Sequence, residues 1–457
     1  MRQVRKKSAD PTARTYFLKA RQEGLELSWN RYERMLPQDG FGKLGLTCGD
    51  CLQGPCRLNP FSREEERTIC GRDKDTLVYN NLQKLLSLAD GSKQDVAGDK
   101  GLSPLDALVK TAQAGIEHLK NNRNCPRLSE SVTQIGLGVL AKEKVNICLE
   151  AVSPAILEMS LELKEKLEEE ALTRGAQGFH LVLAADVTAG FPVPTVSNAG
   201  GVEFALLTGL VDLYVVGPSG LGLGKNVVPA YHTVYREAGF NADYDILKDW
   251  FIQAAVAYSK REKEKILEAE QRGEARLLTV EPASLKAHLE QGTIRKLAIL
   301  GGGSSVLLTE DALLCEAAAQ LAGEHVLNLA YGNAAATLGK HGLLAPGSAG
   351  ASPQVTAALG LTQGSPAYWL GSEEDIAEIL SLVEYVGSVH VLALYPELST
   401  PADLRNALAL AAQGVPVFTA VKLPADGSET AAQELSALIR YCQPQDFLAE
   451  VKAKLQA

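Results

Sequence analysis

Long apolar runs are missing from this sequence. A membrane-spanning helix needs roughly eighteen or more consecutive apolar residues. The best candidate, Ala407 to Val421, is broken by Gln413, Gly414 and Pro416, so no membrane span is expected. A basic excess is missing too. There are 45 Lys and Arg against 55 Asp and Glu, a net charge of −10, which argues against nucleic acid or an anionic membrane as a main partner. The basic opening MRQVRKKSADPTART has no apolar segment and does not read as a signal peptide. Histidine is scarce. His118, His180, His232, His288, His325, His341 and His390 show no HxxH or HExxH spacing, and each reads as a surface or core residue. No nucleophile elbow, kinase or dinucleotide fingerprint occurs, and Ser304-Ser305 after Gly301–Gly303 lacks the G-x-S-x-G pattern.

What is present is ordinary globular material with one unusual cluster. Of 457 residues, 46% are hydrophobic and 22% charged, enough to build a sizeable core over several domains. Four of the eight cysteines, Cys48, Cys51, Cys56 and Cys70, lie within 23 residues. In a long chain without an export signal, free thiols or metal ligands are the better reading than disulfides. The spacing is C-x2-C-x4-C-x13-C. A CxxC pair puts two sulfurs on one side of a tight turn. Gly54-Pro55 turns the chain before the third, and the loop Arg57 to Ile69 returns the fourth. Three close ligands and one returning ligand suit a cubane [4Fe–4S] cluster. Structural zinc more often takes two separated pairs, with or without histidine, and stands as the alternative.

Periodicity divides the rest. Asp10 to about Leu36, Thr76–Leu88 and Pro104–Lys120 read as helices, and Gly40–Arg57 as loop. Beyond about residue 140, apolar runs alternate with helical stretches such as Ala155–Arg174 and Glu310–Ala322. The runs are Val145–Val152, Phe179–Asp186, Val211–Gly217, Leu277–Val280, Leu297–Gly301, His325–Gly332, Ala367–Gly371, Val389–Leu394 and Val417–Val421. This βαβα rhythm predicts parallel sheets covered by helices. The Lys/Glu-rich segment Tyr258–Arg276 reads as a solvated linking helix. The expected fold class is multidomain α plus α/β: a helical domain with the cluster (1–140), then two Rossmann-like domains (141–272 and 273–457).

The segment Phe41-Gly42-Lys43-Leu44-Gly45-Leu46, Cys48-Gly49-Asp50-Cys51-Leu52-Gln53-Gly54-Pro55-Cys56-Arg57-Leu58, Cys70-Gly71 and Asp75-Thr76 resembles the N-terminal part of the anaerobic nickel–iron carbon monoxide dehydrogenases, relatives of the prismane (hybrid-cluster) proteins. The match is best over about Thr15–Leu82 and looser beyond, through Leu206–Gly209 and Asp212–Val216. The resemblance implies a helical domain followed by two Rossmann-like domains, one relay [4Fe–4S] cluster on the quartet, an oxidoreductase setting, and an anaerobic cytoplasm. It also implies a homodimer or a redox partner, either a ferredoxin-like protein or an oxidoreductase subunit.

The chain departs from that family at the other clusters. Asp39 and Thr47 stand where the family has the cysteines of a cubane bridging two subunits, and neither is a good soft ligand. Val152 stands at the family's nickel-cluster histidine. Gly220, Gly302, Asn333 and Glu373 stand at its cysteines. Nickel is therefore not expected. The leading expectation is electron transfer to a partner without CO oxidation; an active nickel dehydrogenase ranks last. The alternatives are an oxidoreductase with new chemistry in the vacated α/β cleft, or a redox- or oxygen-sensing protein. Gly220-Leu221-Gly222-Leu223-Gly224-Lys225 looks phosphate-friendly, but Ser219 and Asn226 break the P-loop pattern, so a tight strand–helix turn is favoured. Cys148 and Cys315 read as core, Cys125 and Cys442 as loop or helix-end residues open to solvent. Glu64-Glu65-Glu66 reads as a solvated acidic face before Cys70.

Overall fold

The computed structural model describes residues 6–62, 65–90, 102–122, 131–188, 190–191, 193–239 and 243–456. Cys125 and Glu64 lie outside them.

Two parallel sheets organise the chain. The first has the strand order 234–237, 211–216, 145–150, 179–184, 195–197, 132–135, 273–276, and only the last pairs antiparallel. The second runs 368–371, 326–331, 296–300, 391–395, 417–419, 439–441, all parallel. The central strands, Val145–Glu150, Val211–Val216, Val326–Tyr331 and Val391–Tyr395, are buried along their whole length. Helices cover both faces, so these strands need apolar residues at every position. The α/β expectation holds, and the fold is multidomain α plus α/β.

Helix boundaries follow local chemistry. Pro104–Asn122 opens on Ser103, whose hydroxyl accepts from Asp106 N at 3.1 Å. Pro401–Ala412 opens on a capping box between Thr400 and Asp403. The early helices serve two cores. Tyr16, Phe17 and Trp29, on Ala13–Gln22 and Ser28–Arg34, pack their rings against Phe204 beside the first sheet, with centroids 5.3–5.7 Å from it. Lys74–Asp90 and Pro104–Asn122 instead pack Leu77, Leu82, Leu86, Leu108 and Ala112 with Leu404, Ala407 and Leu408 of the second unit.

Two expectations need correction. Tyr258–Arg276 is not a helix. The helix Tyr244–Tyr258 ends there, a single 3₁₀ turn covers Lys263–Lys265, and the chain then runs extended into the strand Gly273–Arg276. Charge density suggested a solvated helix, but Ile266, Leu267 and Ala269 pack against the first core. Leu267 N also donates to Thr208 O at 2.9 Å, a contact that an extended backbone supplies. Leu277–Val280 is not a strand either. Leu277 forms a single bridge to Trp369, so the chain leaves the edge of one sheet and touches the edge of the other one residue later. The strands 132–135, 195–197, 234–237 and 439–441 were not anticipated. They are short and carry polar residues such as Thr195, Ser197, Arg236 and Arg440.

One buried cation joins the pieces. Lys340 Nζ lies 2.9 Å from Asp10, 2.7 Å from Asp311 and 3.0 Å from Asn198 Oδ1. Burial pushes the Asp10 carboxyl up, but Lys340 and the Thr12 hydrogen bonds outweigh it and hold the group at about 2. Among the described residues no helix is long and apolar enough to cross a membrane. Removing one partner of a buried ion pair leaves an uncompensated charge. Lys340→Met is expected to lower unfolding stability by about 3–5 kcal/mol in a denaturant titration. A loss below about 1 kcal/mol, the size of an exposed pair, would show that the site is not a structural anchor.

Candidate metal centre and the facing cleft

The cysteine segment is seated on the second unit before it presents any sulfur. Gly45 has φ +76°, and a Cβ there would meet Pro424 O at 2.2 Å, so only glycine fits. Gly427 N donates to Leu44 O at 3.0 Å, and Ser428 Oγ to Asp75 at 2.5 Å. Beyond this anchor, Thr47–Cys48 and Cys56–Arg57 pair antiparallel, with Cys48 directly opposite Cys56. The loop between them carries Cys51 and closes with Gly54 N on Cys51 O at 3.3 Å. A Cβ on Gly54 would lie 2.9 Å from Cys56 N. Cys70 sits in a tight return: Gly71 N donates to Thr68 O at 2.8 Å and Arg72 N to Thr68 Oγ1 at 3.0 Å.

All four cysteines are free thiols. Cys48 is buried, Cys56 half-buried, and Cys51 and Cys70 exposed. Thr68 Oγ1 shares a hydrogen bond with Cys70 Sγ at 3.3 Å, and Arg72 Nη1 reaches Cys48 Sγ at 3.6 Å. The Thr68 contact, then the backbone N–H and charge of Arg72, hold the Cys70 thiol below its usual range despite desolvation. Asp50 steadies Arg72 at 2.5 Å and also pairs with Lys84. Glu65 pairs with Arg67, and Glu66 accepts from Asn59 N at 2.7 Å. Among the described residues no three His, Cys, Asp or Glu side chains converge tightly enough to hold a single metal ion.

Asp39 is spent on local structure. Asp39 caps the short helix Gly40–Lys43, accepting from Phe41 N at 3.2 Å and Gly42 N at 2.9 Å. The Thr47 hydroxyl is buried without a hydrogen-bond partner.

The cleft positions fall at the carboxyl ends of the two sheets, where ligands of such folds sit. Three of them meet. Asn333 donates to Gly303 O at 2.9 Å beside Gly302, and its carbonyl accepts from Ala199 N at 2.9 Å. A Cβ on Gly332 would meet Glu373 Oε2 at 2.0 Å. Glu373 accepts from Asn406 at 2.7 Å, and Asn406 also donates to Tyr331, whose hydroxyl meets that of Tyr395 at 2.5 Å. Burial, reinforced by Asp403 and Asp186, raises the Glu373 carboxyl well above its usual range. Val152 lines a small cavity of about 50 Å³ with Asp186, Thr188, Phe191, Ser372 and Asp375. Gly220 stands apart, against Val216 and Glu150.

The glycine loop is a turn. Leu221 N and Gly222 N both donate to Glu150 Oε1, at 2.8 and 3.1 Å, and Lys225 pairs with Glu237. The anion-binding amides are thus taken by a buried carboxylate of the chain itself. Cys148 is fully buried, as expected, and Cys315 packs against the second core. Cys442 was expected in solvent but is buried, because its strand end packs under Phe447 and Val451. The histidines do not converge. His180 bonds Val139 O, His232 Asp212, and His341 Asp311.

Sequence reading missed Asp186 as a junction residue. It closes the run Phe179–Asp186 and accepts from Glu373 N across the cleft at 3.1 Å. Its only signal was a carboxylate ending an apolar strand.

Comparisons with known proteins agree with this architecture. No protein-family model matches the sequence. The chain is 32% identical over 152 residues to carbon monoxide dehydrogenase 1 of Methanosarcina mazei, covering 33% of this chain and 23% of that protein. It is 45% identical over 86 residues to carbon monoxide dehydrogenase 2 of Carboxydothermus hydrogenoformans, covering 19% and 13%. Over these segments the chain is similar to carbon monoxide dehydrogenases. The aligned part spans less than a quarter of the curated relatives it matches. The fold likeness is far longer. A Ni-free carbon monoxide dehydrogenase from Thermococcus sp. AM4 superposes with a TM-score of 0.82 over 99% of this chain and 96% of that one, at 20% identity. The carbon monoxide dehydrogenase scaffold is therefore preserved even where side chains have diverged.

Burial drives the Asp186 carboxyl up to about 7, against the hydrogen bonds from Val187 N and Glu373 N. A carboxyl raised on folding binds its proton more tightly in the native state, so its stabilising contribution falls as pH rises from about 4 to 7. Asp186→Asn is expected to flatten that part of the stability–pH curve, measured by denaturant midpoints at successive pH values. An unchanged slope would refute the assignment.

Proposed function

We infer that the chain is an iron–sulfur redox protein on a carbon monoxide dehydrogenase scaffold, with Cys48, Cys51, Cys56 and Cys70 holding one [4Fe–4S] cluster and no nickel site. One contrast carries this reading. The quartet is presented on a shaped ladder and return loop, whereas Val152, Gly220, Gly302, Asn333 and Glu373 offer no thiolate or imidazole, and Asn333 and Glu373 are engaged in hydrogen bonds within the protein.

The donor set fits the group. Four thiolates are the usual ligands of a cubane. A mononuclear zinc ion needs its sulfurs about 2.3 Å from one centre. A cubane bears them on four separate irons. When bound, such a cluster supplies one-electron transfer. The chain's own residues tune it: Thr68 and Arg72 favour anionic sulfur, and hydrogen bonds to cluster sulfurs help set the potential. Electrons pass to a ferredoxin-like protein or an oxidoreductase subunit in an anaerobic cytoplasm. A homodimer without a bridging cluster is compatible with Asp39 and Thr47. The division into a cluster-bearing region and two Rossmann-like domains, with boundaries near 140 and 272, belongs to the same reading.

The Asp186 cavity gives a second reading, an oxidoreductase with new chemistry in the cleft, its only specific support. About 50 Å³ accommodates water rather than an organic substrate, so electron transfer is preferred.

Anaerobically purified protein is expected to contain about four irons and four sulfides per chain, a reducible cubane signal by EPR, and no nickel. Cys48→Ala and Cys56→Ala are expected to abolish the signal, and Cys442→Ala to leave it intact. Stoichiometric zinc would overturn the cluster. Stoichiometric nickel with CO-dependent dye reduction would overturn the loss of the catalytic site.

A further inference from the structure

A second, larger cavity opens on the edge of the second sheet opposite the cleft. It encloses about 360 Å³. It sits at the amino ends of the strands Val417–Thr419 and Ile439–Tyr441, between the turn 414–416 and the end of the helix Glu429–Leu438. Its floor is apolar and buried, made by Ala411, Val415, Val417 and Phe418. Its rim is exposed and carries two cations, Arg440 and, from the helix Phe447–Gln456, Lys454. This is the volume of a small-molecule site, and an apolar body with a few polar groups at one side is the usual make-up of such sites. We propose that this cavity binds a small organic carboxylate, with its apolar body on the floor and its carboxylate held at the rim by Arg440 and Lys454.

Charge selects an anion. Acidic residues outnumber basic ones over the whole chain, 55 to 45, but this edge has the opposite balance. Lys296, at the amino end of the strand Lys296–Leu300, donates to Val389 O at 2.6 Å. Among the described residues neither Lys296 nor Lys454 meets a carboxylate. Burial, then repulsion from Lys454 and Arg295, holds the Lys296 ammonium below its usual range. Arg295 pairs with Glu324 at 2.8 Å and Arg440 with Glu450 at 2.5 Å, so these four cations hold two carboxylates between them. A guanidinium that gives one nitrogen to Glu450 keeps others for a second acceptor. The helix ending at Ala412 does not reverse this balance. Its Leu410 and Ala411 carbonyls are taken by the N–H groups of Gln413, Gly414 and Val415, which blunts its negative end. The floor selects the rest of the ligand. An inorganic anion would leave the apolar floor in water, whereas an apolar body removes it from water. None of the quartet and neither Asp186 nor Glu373 lines this cavity, so the site is separate from both the cysteine lobe and the cleft.

The test is calorimetric titration of the full, anaerobically purified chain with three probes: octanoate, octanol and inorganic phosphate. Octanoate is expected to bind at one site per chain. Octanol, which has the body without the charge, and phosphate, which has the charge without the body, are each expected to bind about tenfold more weakly or less. Arg440→Gln with Lys454→Gln should weaken octanoate about tenfold and leave octanol within about twofold. Both side chains are exposed, so the unfolding midpoint should hardly move. Ala437→Trp, which fills the rim from the other side, should abolish binding of octanoate and octanol alike. Octanol binding as tightly as octanoate overturns the proposal and leaves a plain apolar void. Phosphate binding as tightly overturns it in favour of a surface ion site. An unchanged octanoate affinity in the folded double variant, or no octanoate binding at millimolar concentration, overturns it as well. Iron content is read in the same samples, and every one of these outcomes leaves the cluster inference untouched.

Discussion

A single buried ammonium group sets the geometry on which everything else rests. Lys340 ends a helix of the second unit, and its partners come from three places: Asp10 from the N-terminal segment, Asn198 from the first sheet's turn, and Asp311 from the second unit. A charge in such surroundings is tolerated only if it is fully paired. Each partner is in turn fixed, Asp10 by Thr12 and Asp311 by Asn198 and His341. This arrangement orients the carboxyl ends of the two sheets toward one another, so that Asp186 meets the backbone of Glu373.

The likeness in fold and the side chains at the strand ends meet in one packing arrangement. At the strand ends this chain has glycines that let the backbone approach, and side chains such as Asn333 and Glu373 that hydrogen-bond within the protein. Gly332 leaves room for Glu373, and Asn333 bridges Gly303 and Ala199. Filling a site with paired polar groups avoids the penalty of an empty polar cavity. The cysteine lobe follows a different rule. Its loops are anchored at Gly45 and Ser428 yet keep Cys51 and Cys70 in solvent.

The parts of the fold legible in the sequence were those with strong periodicity. The fully buried strands, Val145–Glu150 and Val391–Tyr395 among them, announce themselves as unbroken apolar runs. The expectation placed on Cys48, Cys51, Cys56 and Cys70 could be formed from the sequence because cysteine spacing is local. The strands 234–237 and 273–276 were not legible, because they are short edge strands with charged residues. Tyr258–Arg276 misled because its charges outnumber the few apolar residues that fix its path. Cys442 misled because its burial comes from Phe447 and Val451, on a helix that closes over it. The Asp186–Glu373 contact joins residues 187 positions apart, and no local pattern predicts such a pairing.

The buried Glu150 carboxylate, held between Tyr214 and the amides of Leu221 and Gly222, has a consequence for how the protein lives among metabolites. Glycine-rich amides at a strand end are a standing invitation to phosphate, and a cell holds nucleotides in abundance. Here the chain carries its own permanent occupant for those amides. An incoming phosphate would have to expel a tethered side chain that never diffuses away, and the loop would lose its shape in the exchange. The scaffold is in this respect insulated from the small anions around it.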